Sequence, residues 1–143
     1  MSNIVIISGY FNPLHIGHLD YIEAAKELGE ELWVIVNSDE QVEIKGSVPF
    51  QKETERHRIV SAISGVDVVL LASDRDHSVT ETLRNIIYIL PDDCTITFAN
   101  GGDRKSGNTP EEDFCCENGI KTVYNVGGGK IQSSRNLLKE AIK

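Results

Sequence analysis

The chain has 143 residues, of which 40% are hydrophobic and 25% charged, a balance that fits one globular domain. Its net charge of −8 argues against a nucleic-acid surface, because binding to a phosphate backbone depends on clustered Lys and Arg. A small anionic substrate is still compatible with this charge, since a few focused donors reverse the local field.

The termini and cysteines indicate a cytoplasmic protein. Met1–Asn3 carry no basic residue, and the apolar run Ile4–Ile7 is far below the roughly 20 residues that a membrane-spanning helix needs, so we expect neither a secretory signal nor contact with a membrane. Cys94, Cys115 and Cys116 match no disulfide or zinc spacing and are typical of reduced thiols. A reactive thiol is an alternative for the adjacent pair.

Apolar, β-branched runs alternate with helical patterns along the chain. In chain order the patterns predict strand Asn3–Ser8, helix Leu19–Leu28, strand Glu31–Val36, helix Glu53–Ile63, strand Val66–Ala72, helix Val79–Leu90, strand Thr95–Ala99, helix Pro110–Asn118, strand Ile120–Asn125 and helix Ser133–Ile142. This alternation predicts an α/β fold: a single-domain, Rossmann-like, doubly wound sheet of about five parallel strands with helices on both faces, over residues 1–143.

Ligands of such sheets bind at the carboxyl ends of the strands, near the point where the strand order reverses. We therefore expect the site to be built from the segments that follow four of the strands: Gly9–His18, Asn37–Pro49, Asn100–Asn108 and Val126–Arg135.

The first of these segments, GYFNPLHIGH, is the most informative. Gly9 permits a sharp turn, Phe11 is placed to pack under it, and Gly17 leaves space between the imidazoles of His15 and His18. Both imidazoles stand at the start of a predicted helix, where unpaired backbone N–H groups attract anions. The segment therefore predicts a phosphate site. Two alternatives are histidines that only fill the helix start and a zinc pair, which would need a third ligand.

The other segments supply groups that suit the same anion. Lys45 follows the second strand, although the preceding Asn37-Ser38-Asp39 is also typical of a helix cap. Gly101-Gly102-Asp103 follows the fourth strand and is compatible with a flexible turn as well as with a ligand contact. The glycine-rich Gly127–Lys130, with two hydroxyls shortly after it, predicts a second anion site.

Taken together, these segments resemble the cytidylyltransferase-like nucleotidyltransferases, in particular the glycerol-3-phosphate cytidylyltransferases and the heptose-phosphate adenylyltransferases. The stretch Gly9–His18 is similar to the His-x-Gly-His signature of that family, and Lys45-Gly46, Arg56, Gly102-Asp103 and Ile131–Arg135 are similar to its later motifs. The resemblance covers nearly the whole chain.

The resemblance implies transfer of CMP, preferred here to AMP, from CTP or ATP to a phosphorylated polyol or sugar, with release of pyrophosphate. It implies Mg²⁺ as cofactor, with no side chain assigned to the metal, and a homodimer. The residues implied in catalysis are His15, His18, Lys45 and Arg56. Those implied in nucleotide binding are Gly9, Tyr10, Phe11, Asn12, Gly17, Gly102, Asp103, Gly128, Gly129, Lys130, Ile131, Gln132, Ser133 and Ser134.

Three departures from the family pattern bear on the site. Asn12 stands where many members have Asp, Gln132 replaces a hydroxyl residue, and Gly127–Lys130 differs from the loop of the glycerol-phosphate enzymes. The identity of the acceptor does not transfer across that last change.

Other classes of protein fit less well. A non-catalytic nucleotide-binding module on the same fold is the main alternative. A relative of the aminoacyl-tRNA synthetases would be larger and less acidic. A dehydrogenase or flavodoxin-like binder is disfavoured, because no Gly-x-Gly-x-x-Gly follows the first strand.

Overall fold

A computed structural model describes residues 2–101 and 109–127 of the chain. In chain order its elements are β1 (Asn3–Gly9), α1 (Ile16–Lys26), β2 (Glu31–Val36), α2 (Asp39–Ile44), α3 (Glu53–Ser61), β3 (Val68–Leu71), α4 (Thr80–Ile89), β4 (Thr95–Gly101), α5 (Pro110–Glu117) and β5 (Lys121–Val126).

The strands form one parallel sheet in the order β3-β2-β1-β4-β5. The chain first adds strands on one side of β1 and then, through β4, on the other side. The strand order therefore reverses between β1 and β4, which is where a doubly wound sheet opens a crevice at its carboxyl edge. This confirms the predicted fold class and places the end of β1, at Gly9, in the centre of that edge.

Helices cover both faces of the sheet. Successive residues of β1 point to opposite faces and therefore enter two different cores. Ile4 and Ile6 belong to the core under α4 and α5. Val5 and Ile7 belong to the core under α1 and α3. All four side chains are at most 2% exposed, so β1 is apolar on both faces, as expected of a doubly covered strand.

Two differences from the sequence prediction bear on the site, beyond shifts of one or two residues at the ends of other elements. The first helix begins at Ile16 rather than Leu19, because His15 takes the N-cap position. The segment Asn37–Pro49, expected as a loop, contains the short helix α2, which the Ser38 side chain caps. The alternative role of that segment as a helix cap is therefore correct.

The inward face of α3 also differs from what its apolar pattern suggests. Ile59 is 36% exposed, whereas Arg56 and Val60 are buried. An arginine therefore occupies a position that periodicity assigns to an apolar residue. The reason lies in its hydrogen bonds to the neighbouring loops.

The predicted helix Ser133–Ile142 lies outside the described residues. Within residues 2–101 and 109–127, the helices are too short or too polar to cross a membrane.

Candidate active site

Two imidazoles cap the start of α1 by accepting hydrogen bonds from backbone N–H groups. Nδ1 of His15 accepts from the backbone N–H of Gly17 at 3.1 Å, and Nδ1 of His18 accepts from that of His15 at 3.0 Å. This is the geometry of a capping box, with imidazoles in place of the usual hydroxyl and carboxylate. Since Nδ1 of each ring is an acceptor, a neutral ring carries its proton on Nε2.

The two rings lie stacked, with centroids 3.8 Å apart and planes at 26°. Phe11 packs its edge against His18, with centroids 4.9 Å apart, and is 1% exposed. A Cβ at Gly9 would lie 2.8 Å from the Phe11 ring, and one at Gly17 would lie 3.0 Å from the His15 ring. Both glycines are therefore needed for space, so Phe11 and Gly17 have the packing roles expected from the sequence.

The loop after β2 lies against the loop after β1. The ammonium of Lys45, at the end of α2, lies 4.2 Å from the centroid of the Tyr10 ring. A cation over an aromatic face at this distance is attracted by the ring. The structure therefore brings Lys45 to the edge of the sheet that carries the histidines, as the topology predicted.

The Arg56 guanidinium, on α3, joins the loops after β1 and β2 through hydrogen bonds to their carbonyls. It is 1% exposed and donates to the carbonyl oxygens of Gln51 (2.9 Å), Tyr10 (2.8 Å) and Asn37 (2.6 Å). It also donates to a carboxylate oxygen of Asp39 at 2.7 Å. These contacts favour a positioning role for Arg56 over the catalytic role that the family resemblance implies.

Asn12 is a second internal link and is 4% exposed. Its amide nitrogen donates to the carbonyl of Val48 at 2.8 Å. Its amide oxygen accepts from the backbone N–H groups of Phe50 (2.7 Å) and Gln51 (3.1 Å). The side chain predicted to contact nucleotide thus holds two loops together.

The strands on the other side of β1 end beside α1. The Tyr21 hydroxyl donates to the carbonyl of Ala99. A Cβ at Gly101 would lie 2.9 Å from the Tyr21 ring, and one at Gly127 would lie 2.9 Å from the Tyr21 Cα. The segments that leave β4 and β5 therefore start next to the helix that carries His18. The predicted nucleotide contacts on those segments lie outside the described residues: Gly102, Asp103, Gly128, Gly129, Lys130, Ile131, Gln132, Ser133 and Ser134.

Sequence reasoning missed a buried glutamine that ties α2 to the loop after β3. Gln41 is fully buried; its amide oxygen accepts from the Asn37 side chain and the Ser38 backbone, and its nitrogen donates to the carbonyls of Asp76 and Ser78. Hydrogen bonds from the Ser78 hydroxyl and backbone lower the pKa of the Asp76 carboxyl. The only signal in the sequence was the capping pattern before Gln41.

The buried Cys115 thiol is poorly suited to act as a nucleophile. All three thiols are free. Burial, followed by the nearby Glu111 and Glu112 carboxylates, raises the pKa of the Cys115 thiol to about 12. A thiol with that pKa supplies almost no thiolate near neutral pH, so the structure gives the reactive-thiol alternative no support at Cys115.

A further question is whether the side chains of the site could hold a metal ion. In the described part of the chain, no group of three His, Cys, Asp or Glu side chains comes together in a way that would hold a metal ion. Asn12, the nearest equivalent of the family's frequent Asp, uses its amide oxygen for two backbone N–H groups. The described residues thus do not bring three such ligands together for a metal ion.

Comparison with known proteins shows the family of this chain. A family model described as cytidylyltransferase-like matches residues 6–115. The FAD synthase of Methanolacinia petrolearia is 33% identical over 145 aligned positions, which cover 96% of this chain and 89% of that protein.

The bifunctional protein HldE of Koribacter versatilis is 43% identical over 76 residues, which cover 52% of this chain and 16% of HldE. The FAD synthases of Thermoplasma acidophilum and Thermoplasma volcanium are each 31% identical over 94 residues, which cover 66% of this chain and 63% of those proteins. The crystal structure of a lipopolysaccharide core biosynthesis protein from Thermoplasma volcanium has the same fold, with a TM-score of 0.70, 24% identity, and coverage of 91% of this chain and 100% of that one.

Replacing Arg56 by Met tests its positioning role. The variant leaves three carbonyls and a carboxylate without their donor, so we expect a loss of about 3 kcal/mol in the free energy of unfolding, measured by urea denaturation. The matched control is Arg84→Met, because the Arg84 side chain is 63% exposed, donates to the Glu81 carboxylate at 3.1 Å, and otherwise lies 5.4 Å from the centroid of the Phe114 ring. Equal stability losses in the two variants would contradict the role assigned to Arg56.

Proposed function

Because the chain belongs to the cytidylyltransferase-like family and is a nucleotidyltransferase, we propose that it transfers a nucleotidyl group from a nucleoside triphosphate to the phosphate of a small molecule. A phosphate oxygen of the acceptor attacks the α-phosphorus, the bond from that phosphorus to the bridging oxygen breaks, and pyrophosphate leaves. The acceptor phosphate is largely ionised near neutral pH, so the reaction requires neither a protein nucleophile nor a general base.

The observation that carries this proposal is the pair of capping imidazoles at the start of α1. Their Nδ1 atoms are fixed by backbone N–H groups, which makes each Nε2–H a donor suited to a phosphate oxygen. The first turn of α1 carries no acidic residue, so the partial positive charge of the helix start is not offset there. We assign His18 to the α-phosphate in the transition state, with His15 on the neighbouring phosphates.

The remaining residues of the site have different assigned roles. Lys45 is the side chain we assign to the phosphate of the acceptor or to the α-phosphate. Arg56 and Asn12 hold the loops in place and are positioning residues. The glycines, Asp103, Lys130 and the two serines that follow β4 and β5 remain predicted contacts of the triphosphate.

Magnesium remains a prediction. Since the described residues do not bring three ligands together for a metal ion, we propose that Mg²⁺ arrives as the counter-ion of the triphosphate and neutralises part of its charge. The homodimer and the cytoplasmic location expected from the sequence likewise remain predictions.

The relatives favour adenylyl over cytidylyl transfer. FAD, the product in the name of the Methanolacinia petrolearia relative, consists of flavin mononucleotide joined to adenylate, and the alignment with that relative covers 96% of this chain. We therefore propose ATP as the donor, in place of the CTP expected from the sequence. For the acceptor, a polyol or sugar phosphate and flavin mononucleotide are both candidates at this stage.

The catalytic role of His18 is tested by His18→Gln. A glutamine at the third helical position can still accept from the His15 backbone, as in an ordinary capping box, so the fold and its melting temperature should be kept. The variant loses the imidazole donor, and we expect kcat to fall by about 100-fold to 1,000-fold, measured as pyrophosphate release.

The control for this test is His77→Ala, which removes an exposed imidazole on the loop after β3 and should leave kcat near its native value. Mass spectrometry of the product identifies the transferred group. Binding of nucleotide without any product from the native chain would favour the non-catalytic alternative.

The contact between Lys45 and Tyr10 gives a second test. Tyr10→Phe keeps an aromatic face under the ammonium, whereas Tyr10→Leu removes it. We expect Tyr10→Leu to raise the KM of the acceptor roughly fivefold and Tyr10→Phe to leave it unchanged. Lys45→Ala should raise the same KM more strongly. If the KM of the nucleotide rises instead, Lys45 binds the donor.

A further inference from the structure

The buried amide of Gln41, on α2, uses every hydrogen-bonding position that it has. Its oxygen accepts from the Asn37 amide nitrogen at 2.9 Å and from the Ser38 N–H at 3.1 Å. Its nitrogen donates to the carbonyls of Asp76 at 2.8 Å and Ser78 at 2.7 Å. An amide with both lone pairs and both protons occupied has one orientation, so it fixes α2 against the loop after β3.

The backbone of the same residue carries Lys45. The main-chain carbonyl of Gln41 accepts from the Lys45 N–H at 3.0 Å, at the end of α2. A helix of six residues does not hold itself in water, so its place depends on the contacts of its side chains. The position of the Lys45 ammonium, 4.2 Å from the centroid of the Tyr10 ring, therefore depends on how Gln41 is held.

The support on which Gln41 rests is itself fixed. The peptide group between Ser78 and Val79 accepts from Gln41 through its carbonyl and donates to the Glu111 carboxylate through its N–H, at 3.0 Å. Glu111 lies in the first turn of α5 and is 4% exposed. This peptide group is thus held from both sides, and the loop after β3 gives α2 a rigid anchor.

On its other side, Gln41 is connected to the buried Arg56 guanidinium. Arg56 donates to the main-chain carbonyl of Asn37, whose side chain donates to Gln41. From this guanidinium to the Glu111 carboxylate, every donor points the same way. Aligned hydrogen bonds polarise one another in a dry interior, and loss of the amide in the middle interrupts the series.

We propose that Gln41 is a positioning residue of the reaction: it holds α2 so that the Lys45 ammonium stays over the Tyr10 ring, where a substrate phosphate binds. This inference rests on the proposed nucleotidyl transfer, which assigns Lys45 to a phosphate. Gln41 is fully buried and does not itself reach substrate. Its replacement therefore acts on the reaction through Lys45.

The test uses two replacements of Gln41. Gln41→Met keeps a long, unbranched side chain but lacks the amide. Gln41→Glu keeps the size and an accepting oxygen and replaces only the nitrogen that donates to the two carbonyls. The matched control is Val42→Ala, which removes apolar volume from a side chain on the same helix that is 1% exposed. Urea denaturation gives conditions in which every variant is folded.

The first readout is made without substrate. The ring current of an aromatic side chain shifts protons that lie over its face upfield. The ε-methylene protons of Lys45 therefore report its place over Tyr10 in ¹H–¹³C spectra, with Lys45→Ala used for assignment. We expect both Gln41 variants to lose most of this upfield shift and Val42→Ala to keep it. Retention of the shift in both Gln41 variants would overturn the proposal.

The second readout is kinetic, with ATP as donor and flavin mononucleotide or glycerol 3-phosphate as acceptor. Lys45→Ala identifies the substrate whose KM depends on the ammonium. We expect Gln41→Met to raise that KM roughly fivefold, to change kcat by less than about twofold, and to add nothing in the Lys45→Ala background. Val42→Ala should leave the same KM at its native value. Partial unfolding would instead lower kcat in both backgrounds.

The outcomes separate the inference from the function. A fall in kcat alone, or an equal rise of KM in the native and Lys45→Ala backgrounds, would overturn the positioning role and keep nucleotidyl transfer. Absence of pyrophosphate from the native chain with both acceptors would contradict the proposed function, and the catalytic part of the inference would fall with it. The spectra of the ligand-free protein would still decide whether Gln41 sets the position of Lys45.

Discussion

The buried Arg56 guanidinium is the interaction on which the shape of this edge of the sheet depends. It donates to main-chain carbonyls of the loops after β1 and β2 and to the Asp39 carboxylate at the start of α2. Carbonyls at the ends of parallel strands have no further strand residue to pair with, and a guanidinium satisfies several of them at once. Asn12 extends this link to the segment that carries Val48 and Phe50. These hydrogen bonds therefore fix the conformation of the loops without a ligand.

Within this arrangement, the imidazoles of His15 and His18 cap α1 through Nδ1. A serine or threonine cap has a single side-chain oxygen, whereas an imidazole that caps through Nδ1 has a second nitrogen on the other side of the ring. His15 and His18 thus stabilise α1, and the proposed function assigns the same two rings to the phosphates of the substrate. Phe11 and the two neighbouring glycines fix the ring positions, which explains why this stretch tolerates so little bulk. Alignment and charge stabilisation of this kind are what phosphoryl transfer requires of a protein.

Local patterns predicted most of the fold, and contacts between distant segments account for what was missed. The run Glu31–Val36 matches β2 because an apolar, β-branched run is read directly from the sequence. The helix α2 was missed because it has six residues and depends on the burial of Gln41, whose partners lie more than 30 positions away. The family resemblance singles out Arg56, but its burial depends on backbone carbonyls of two distant loops, and the spacing of residues in the sequence does not show such contacts. In the site, the two histidines and Lys45 were placed on the right edge of the sheet because topology alone decides that edge.

The central claim is that backbone hydrogen bonds to Nδ1 hold both imidazoles with their donors on Nε2. The direct measurement is ¹⁵N NMR of the histidine side chains in the ligand-free protein, with single His→Gln variants used for assignment. The account predicts that neutral His15 and His18 both carry the proton on Nε2 and that Nδ1 is unprotonated. A proton on Nδ1 of either neutral ring would contradict it, because the helix cap and the phosphate donors would then not be formed by the same ring.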